Sequence, residues 1–577
     1  MNEKLDLGLN ASLTAQRQGI RLADTMLAGI EEDQVGQETG NEKIERFSDV
    51  EESNADGSNR WEVVVKYHGP IETRFGEFSQ ILWEPLLFGY GIVTLLEEEI
   101  EQFSMLDQVE YMEKPRAFFS QIQEQLLQTT CIKELQTTPY SLTGKGVLLA
   151  ILDSGIDAGL DVFKTSSGSR IVAYLDLSKE ENAGELIIVQ PEDIPQITDQ
   201  SGHGTAVASI AAGTDFGIAQ EAELLIVKLG RQEPYTFSKT TDIMRGVTQA
   251  LFYAQERNQP LVINLSYGTN YGSHQGNSLL ERFLENASEV GRCVICVGSG
   301  NEADQNGHFQ GVLKEREQYE VEIAMGRFEK QIVLELFFGY LEVEKCVLQT
   351  PDGKNVNVSL EEGTKEEDED VEIYGYFMAP TPFLGNQEAY MQIVAKQSFI
   401  PAGIWKILIR AKNIKDGIFQ VYMTSGSAKN ADTLFLRPTP EGTFTIPSTA
   451  QKVLSVGACN LDGTQISYYS GRGFLKIQTG IYQNKPDLIA PGDQIQAILP
   501  GGEVSRVTGT SFATPVVSGA CALLMEWGIV KGNDPALYGQ KCKARLCQAA
   551  VPIRGSKTVP DNLQGWGVLC AGEAIKR

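Results

Sequence analysis

The sequence predicts an α/β fold: a doubly wound parallel sheet, with a small α/β domain ahead of it and a β-sandwich of jelly-roll type inserted into it. Three observations carry that expectation. Near-continuous apolar strands alternate with helices on both sides of a long interruption, the texture of parallel strands buried on both faces. The interruption, from Asp304 to Gly442, holds alternating segments with almost no helical period. Upstream, Trp61 to Glu113 reads as a short strand, strand, helix, strand series, a unit too small to be stable without packing on something larger.

Composition bounds the answer. A chain of 577 residues implies two to four domains, and 42% hydrophobic with 22% charged residues is ordinary for a globular protein. A formal net charge of −27 argues against nucleic acid or an anionic membrane as a partner. No apolar run approaches the length of a membrane span, and Met1-Asn2-Glu3-Lys4-Leu5-Asp6-Leu7 lacks a basic segment followed by an apolar one. The expectation is therefore no signal peptide, no membrane span and an intracellular location. The nine cysteines are scattered and sit mostly in apolar elements, so all are expected to be reduced, buried thiols.

Taken in order, residues 1–60 are expected to be a partly flexible extension with one helix, Leu13 to Glu31, and a polar linker, Asp49 to Asn59. Residues 61–121 form the small domain, with strands Trp61 to Tyr67, Tyr90 to Leu95 and Val109 to Glu113 and a helix from Glu97 to Ser104. Residues 122–303 and 443–577 are the two parts of the parallel-sheet domain. Its strands are Val147 to Leu152, Glu223 to Leu229, Leu261 to Leu265, Cys293 to Val297 and Lys452 to Ala458. Its helices open at His203, Thr241, Leu279, about Ser511 and about Pro535. Residues 304–442 carry the inserted strands Tyr319 to Met325, Gln331 to Phe338, Leu341 to Leu348, Val371 to Met378, Tyr390 to Ala395, Ile404 to Ala411 and Ile418 to Met423. Within the insert, the acidic run Glu361 to Asp370 lacks the glycine and ligand spacing of a calcium loop and reads as solvated.

The chemistry gathers at a few strand and helix ends. Val147 to Leu152 ends at Asp153-Ser154-Gly155, where parallel sheets place functional groups. Of the four histidines, only His203 stands at a glycine-flanked helix start; His68, His274 and His308 read as exposed or core side chains. Gly509-Thr510-Ser511-Phe512-Ala513-Thr514-Pro515 sets a serine among small neighbours at the mouth of an apolar helix. As an isolated motif it also fits an N-cap serine with proline in the first turn. Asp153, His203 and Ser511, with Asn301 between the last two, supply an orienting carboxylate, a base, a nucleophile and an oxyanion donor.

Asp153-Ser154-Gly155, His203-Gly204-Thr205, Val262-Ile263-Asn264-Leu265-Ser266-Tyr267-Gly268, Gly300-Asn301-Glu302 and the Ser511 motif together resemble the subtilisin-like serine proteases, in that family's chain order. The resemblance implies a serine endopeptidase made as a self-processing zymogen. It makes Asp153, His203 and Ser511 catalytic, Asn301 the oxyanion donor and Ser266, Tyr267 and Gly268 a substrate-pairing edge. Gly298, Ser299 and Gly300 become a wall of the pocket for the residue before the scissile bond. The small domain resembles the family's propeptide, whose tail enters the cleft, so self-cleavage is expected between Phe118 and Gln123, specifically at Gln121-Ile122. The partners implied are a protein or peptide substrate and the chain's own propeptide. No cofactor is expected; calcium, common in the family, has no clear loop here. With the insert, the layout resembles the Csp germination proteases of clostridial spore formers. That implies cleavage of a bacterial proenzyme during spore germination and a cytoplasmic or spore-associated location. The alternative reading is a propeptide-locked, catalytically silent regulator of the same fold.

Overall fold

A computed structural model describes residues 4–5, 60–79, 81–113, 121–166, 168–178, 186–229, 238–358, 363–367, 369–382, 384–396, 398–474, 485–556 and 558–576. The expected helix Leu13 to Glu31 and the linker Asp49 to Asn59 lie outside these residues. The chain divides into two compact units, Met1–Ser120 and Gln121–Arg577.

The first unit is a four-stranded antiparallel sheet in the order Leu82–Pro85, Tyr90–Leu96, Arg60–Tyr67, Val109–Glu113. Alternation buries Trp61, Val63 and Val65 with Val93 and Leu95 on one face, and the helix Glu97–Ser104 adds Ile100 and Phe103 to the same core. Leu82–Pro85 is not expected from the sequence, because it contains a proline and lies at the sheet edge where proline is tolerated.

The second unit is organised by an eight-stranded sheet in the order Leu488–Pro491, Leu454–Cys459, Cys293–Gly298, Leu261–Leu265, Leu148–Asp153, Glu223–Lys228, Ile171–Asp176, Ile187–Ile188. Every pairing is parallel except the last. Helices His203–Ala212 and Thr510–Met525 pack on one face, and Thr240–Glu256 and Leu279–Ser288 on the other, so each face has its own apolar core. The stretch Thr510–Val530 is long and apolar enough to cross a membrane by length and composition, although its apolar residues are not one unbroken run. In this fold 83% of its most apolar window is buried, because it is the central helix of the core.

Between Cys293–Gly298 and Leu454–Cys459 the chain forms two antiparallel sheets. One has the order His308–Val312, Ile418–Met423, Gln331–Phe338, Gln387–Ala395, Val371–Met378, Thr364–Glu367. The other has the order Asn355–Val358, Val343–Gln349, Gly403–Ala411, Gln318–Met325, Leu434–Phe435. The two share one apolar core that includes Trp405, Phe338, Phe419 and Phe435. Part of the acidic run read as a solvated loop, Thr364–Glu367, is instead an edge strand, its carboxylates exposed as edge protection. Among the described residues no group of three or more His, Cys, Asp or Glu side chains is placed to hold a metal ion. His274 and His308 stack on Tyr422, with ring centroids 3.8 and 4.5 Å away, and burial pushes the His274 imidazole down to about 4. They are neutral packing groups that clip the insert to the parallel-sheet domain.

The expectation of nine reduced thiols is corrected at two positions: Cys131 and Cys570 form a disulfide, while the other seven cysteines are free and buried. The sequence conceals this pair because its members are 439 residues apart. They meet because helix Ile132–Gln136 packs against Ala571–Ala574, where the Ala571 N–H donates to the Thr130 carbonyl at 2.8 Å. Replacing both by serine should lower unfolding stability by about 2–5 kcal/mol. Urea unfolding of the double variant beside wild type, with and without reductant, measures it; coincident curves would show that the link is inert.

Candidate functional site

Three neighbouring strands deliver their carboxyl ends to one place. Leu148–Asp153 ends on Asp153, Leu261–Leu265 runs into Ser266-Tyr267-Gly268, and Cys293–Gly298 runs into Ser299-Gly300-Asn301. Two helices bring their amino ends to the same place, one starting at His203 and the other with Ser511 as its second residue. All four residues of the expected constellation are thus gathered by one topological rule of parallel sheets.

Asp153 is fully buried, and its Oδ1 lies 2.7 Å from His203 Nδ1. A carboxylate there holds the proton on Nδ1 and leaves Nε2 as the basic lone pair. Burial works against charging His203. The charge and hydrogen bond of Asp153, helped by Asp199, outweigh it and hold the imidazole above its ordinary 6.5. The ring is flanked by Tyr267, edge-on at 6.3 Å, and by Phe512, tilted at 5.4 Å.

Ser511 and Ser266 are tied together. Pro515 lies in the second turn of its helix rather than the first, and having no N–H it cannot satisfy the carbonyl four residues back, which is that of Ser511. The Ser266 hydroxyl donates to that carbonyl instead, at 3.0 Å. In return the Ser511 hydroxyl donates to the Ser266 carbonyl at 3.4 Å, a long bond that rests this hydroxyl on the Ser266 strand end rather than on His203.

Asn301 is turned by Thr510, whose N–H and hydroxyl both donate to Asn301 Oδ1 at 3.0 Å. This leaves the Asn301 NH2 group to donate, and the Ser511 N–H, in the first turn of its helix, has no acceptor among the described residues. Glu302 locks the same loop by accepting from Asn270 Nδ2 and from the Gly426 N–H, each at 3.0 Å. Thr445 fills the space against both Gly268 and Gly300, where an added Cβ would lie 2.2 and 2.5 Å from its side chain. Gly300 also adopts φ +90°, which excludes most side chains. Ser299 is buried, whereas Gly268 is exposed.

Gln121 and Ile122 are placed differently from the rest. They open the helix Gln121–Thr129, whereas Phe118 to Ser120 lie outside the described residues. A helical bond does not fit a cleft that binds extended strands, so a cut there requires the first turn to unwind.

Sequence reasoning missed the groups that hold Asp153 and His203 in place. Buried Asp199 accepts from Ser154 Oγ at 2.9 Å and from the Thr205 N–H and hydroxyl at 2.9 and 2.8 Å. Ser154 Oγ in turn accepts from the Gly204 N–H at 2.9 Å. This network ties the Asp153 strand end to the His203 helix start. The acid four residues before His203 is its only sequence signal.

The chain matches the profile described as the subtilase family over residues 144–331 and 426–567, more than half its length, and that of the Csp protease B prodomain over 34–116. The solved structure of the Clostridium perfringens CspB protease aligns with a TM-score of 0.71 at 31% identity, covering 78% of this chain and 96% of that one. An intracellular serine protease of Paenibacillus polymyxa is 33% identical over 135 residues, and serine protease AprX of Bacillus subtilis (strain 168) is 29% identical over 181. These alignments take in 23% and 29% of this chain and span only 36% of each relative's length.

Proposed function

The chain belongs to the subtilase family, and from that premise we propose that it is a serine endopeptidase that processes itself and then cleaves a protein substrate. In this reading Ser511 Oγ leaves the Ser266 carbonyl, gives its proton to His203 Nε2 and attacks the substrate carbonyl. The oxyanion is received by the Asn301 NH2 group and the Ser511 N–H. Asp153 stabilises the imidazolium, which then protonates the departing amine. Water hydrolyses the acyl-enzyme by the same relay in reverse. The substrate backbone adds as a strand along Ser266, Tyr267 and Gly268, with Gly298, Ser299 and Gly300 walling the pocket for the residue before the scissile bond. All four roles are filled by protein groups, so no step is routed through a metal.

The observation that carries the proposal is the 2.7 Å Asp153–His203 contact on a fully buried carboxylate, beside an asparagine turned amide-outward by Thr510. The insert is proposed to be a jelly-roll β-sandwich, a reading supported by two antiparallel sheets around one core. Self-cleavage is proposed between Phe118 and Gln123, and the biological target is proposed to be a proenzyme cut during spore germination, as the Csp resemblance implies. A fluorophosphonate probe should label processed protein on Ser511; processed protein that stays unlabelled would overturn the reading in favour of a silent regulator. Asn301→Ala should lower kcat on the order of 10²- to 10³-fold with little change in KM. Steady-state kinetics check this, and a pure KM effect would remove Asn301 from the oxyanion role.

A further inference from the structure

The edge that ends at Gly268 leads, three residues on, to an acid–tyrosine row built by the insert. Glu335, Tyr390 and Tyr376 stand directly opposite one another across three adjacent strands and therefore share a face. Glu388, two residues from Tyr390, shares that face with Met378 opposite it. Glu335 Oε2 accepts from the Gly272 N–H at 2.6 Å, which joins the row to the segment carrying Tyr271. Tyr271, Tyr376 and Met378 are 44%, 49% and 45% exposed, so the row is open along one side, whereas Glu335 is only 8% exposed. Among the described residues neither Glu335 nor Glu388 has a cationic partner. Two sheltered carboxylates bounded by tyrosine rings therefore lack the counter-charge that such groups ordinarily have.

We propose that this row binds a lysine or arginine side chain of the substrate polypeptide, several residues on the acyl side of the scissile bond. The inference rests on the endopeptidase reading and extends it to substrate class. A substrate whose scissile carbonyl is at Ser511 and whose acyl side pairs with Ser266–Gly268 runs past Gly268 toward Tyr271 as it leaves the reaction centre. The three residues from Gly268 to Tyr271 can span at most about 10 Å, which sets the row opposite roughly the fourth to seventh substrate residues. The chemistry selects a cation. Ring faces attract it and the carboxylates pair with it, while burial, joined by the charge of Glu388 and opposed by the Gly272 N–H, holds Glu335 up at about 7, and burial raises Glu388, a cost that a bound cation removes. The chain's own processing segment has this pattern, with Lys114 and Arg116 upstream of the expected cut. Cleavage after Gln121 makes Arg116 the sixth residue on the acyl side.

The test uses processed wild-type protein and internally quenched peptides in which arginine or norleucine occupies the fourth, fifth, sixth or seventh residue before the scissile bond. The expected result is a kcat/KM about ten-fold higher with arginine at one of these positions, weakening as salt is raised. Glu388→Gln and, separately, Glu335→Gln should collapse the arginine-to-norleucine ratio toward one; using the ratio cancels any general loss of activity. Equal rates at all four positions in wild type, or an unchanged ratio in both variants, would overturn the proposal while leaving the protease standing, since the norleucine peptides are still cut. Failure to cut any peptide, together with an unlabelled Ser511, would instead remove the endopeptidase reading and the subsite with it.

Discussion

Ser511→Ala is expected to leave the chain at full length and to lower kcat for peptide hydrolysis on the order of 10⁶-fold, the loss that subtilisin shows for the same change. The effect is this large because the hydroxyl is the only group from which the acyl-enzyme can form. Without it, Asn301 and the substrate edge still bind and polarise the carbonyl, which leaves a residual rate above that in water. Intact mass and N-terminal sequencing of wild type beside Ser511→Ala measure both consequences together. Processing that persists in the variant would assign the cut to another protease, and unchanged hydrolysis would remove Ser511 from the mechanism.

The second large effect concerns the base. His203 acts as a base only when neutral, and its imidazole is held above 6.5, so activity should fall with decreasing pH through an inflection above that value. The groups that set this inflection are Asp153 at 2.7 Å and the more distant Asp199, against the opposing effect of burial. Asp153→Asn removes the charge that is the main raising influence and introduces an NH2 donor where only an acceptor stood, so the tautomer is no longer fixed. It should move the acid limb to lower pH and reduce kcat on the order of 10⁴-fold, as the same change does in the chymotrypsin-type triad. A kcat/KM profile from pH 5 to 9 for both proteins measures this. An inflection that does not move would mean that the titrating group is not His203.

Much of the fold was legible because its strands carry strong periodic signals. Gln331–Phe338, Val371–Met378 and Ile418–Met423 in the insert, and Leu261–Leu265 in the parallel sheet, have the expected limits residue for residue. Several strands escape the sequence reading, Ile171–Asp176 and His308–Val312 among them although their residues suit a strand; two others contradict strand propensity, Leu82–Pro85 with its proline and Thr364–Glu367 with its charges. Both lie at sheet edges, where one free side relaxes the demand for apolar, hydrogen-bonding residues.

Local patterns along the chain were enough to single out the residues proposed to carry the chemistry. A carboxylate at a strand end, a histidine and a serine at glycine-flanked helix starts, and an asparagine after a glycine are local patterns, and parallel-sheet topology sends all of them to one end. How those groups are held became visible once the chain was folded. The Cys131–Cys570 link spans 439 residues, the Thr510 contact that turns Asn301 spans 209, and the Ser266–Ser511 exchange spans 245. The row of Glu335, Tyr390 and Tyr376 exists only because antiparallel register sets three distant strands side by side. A chain's local pattern records what each segment prefers, but the orientation of an amide or the partner of a buried acid depends on which segments become neighbours, and that is settled by packing across the whole domain.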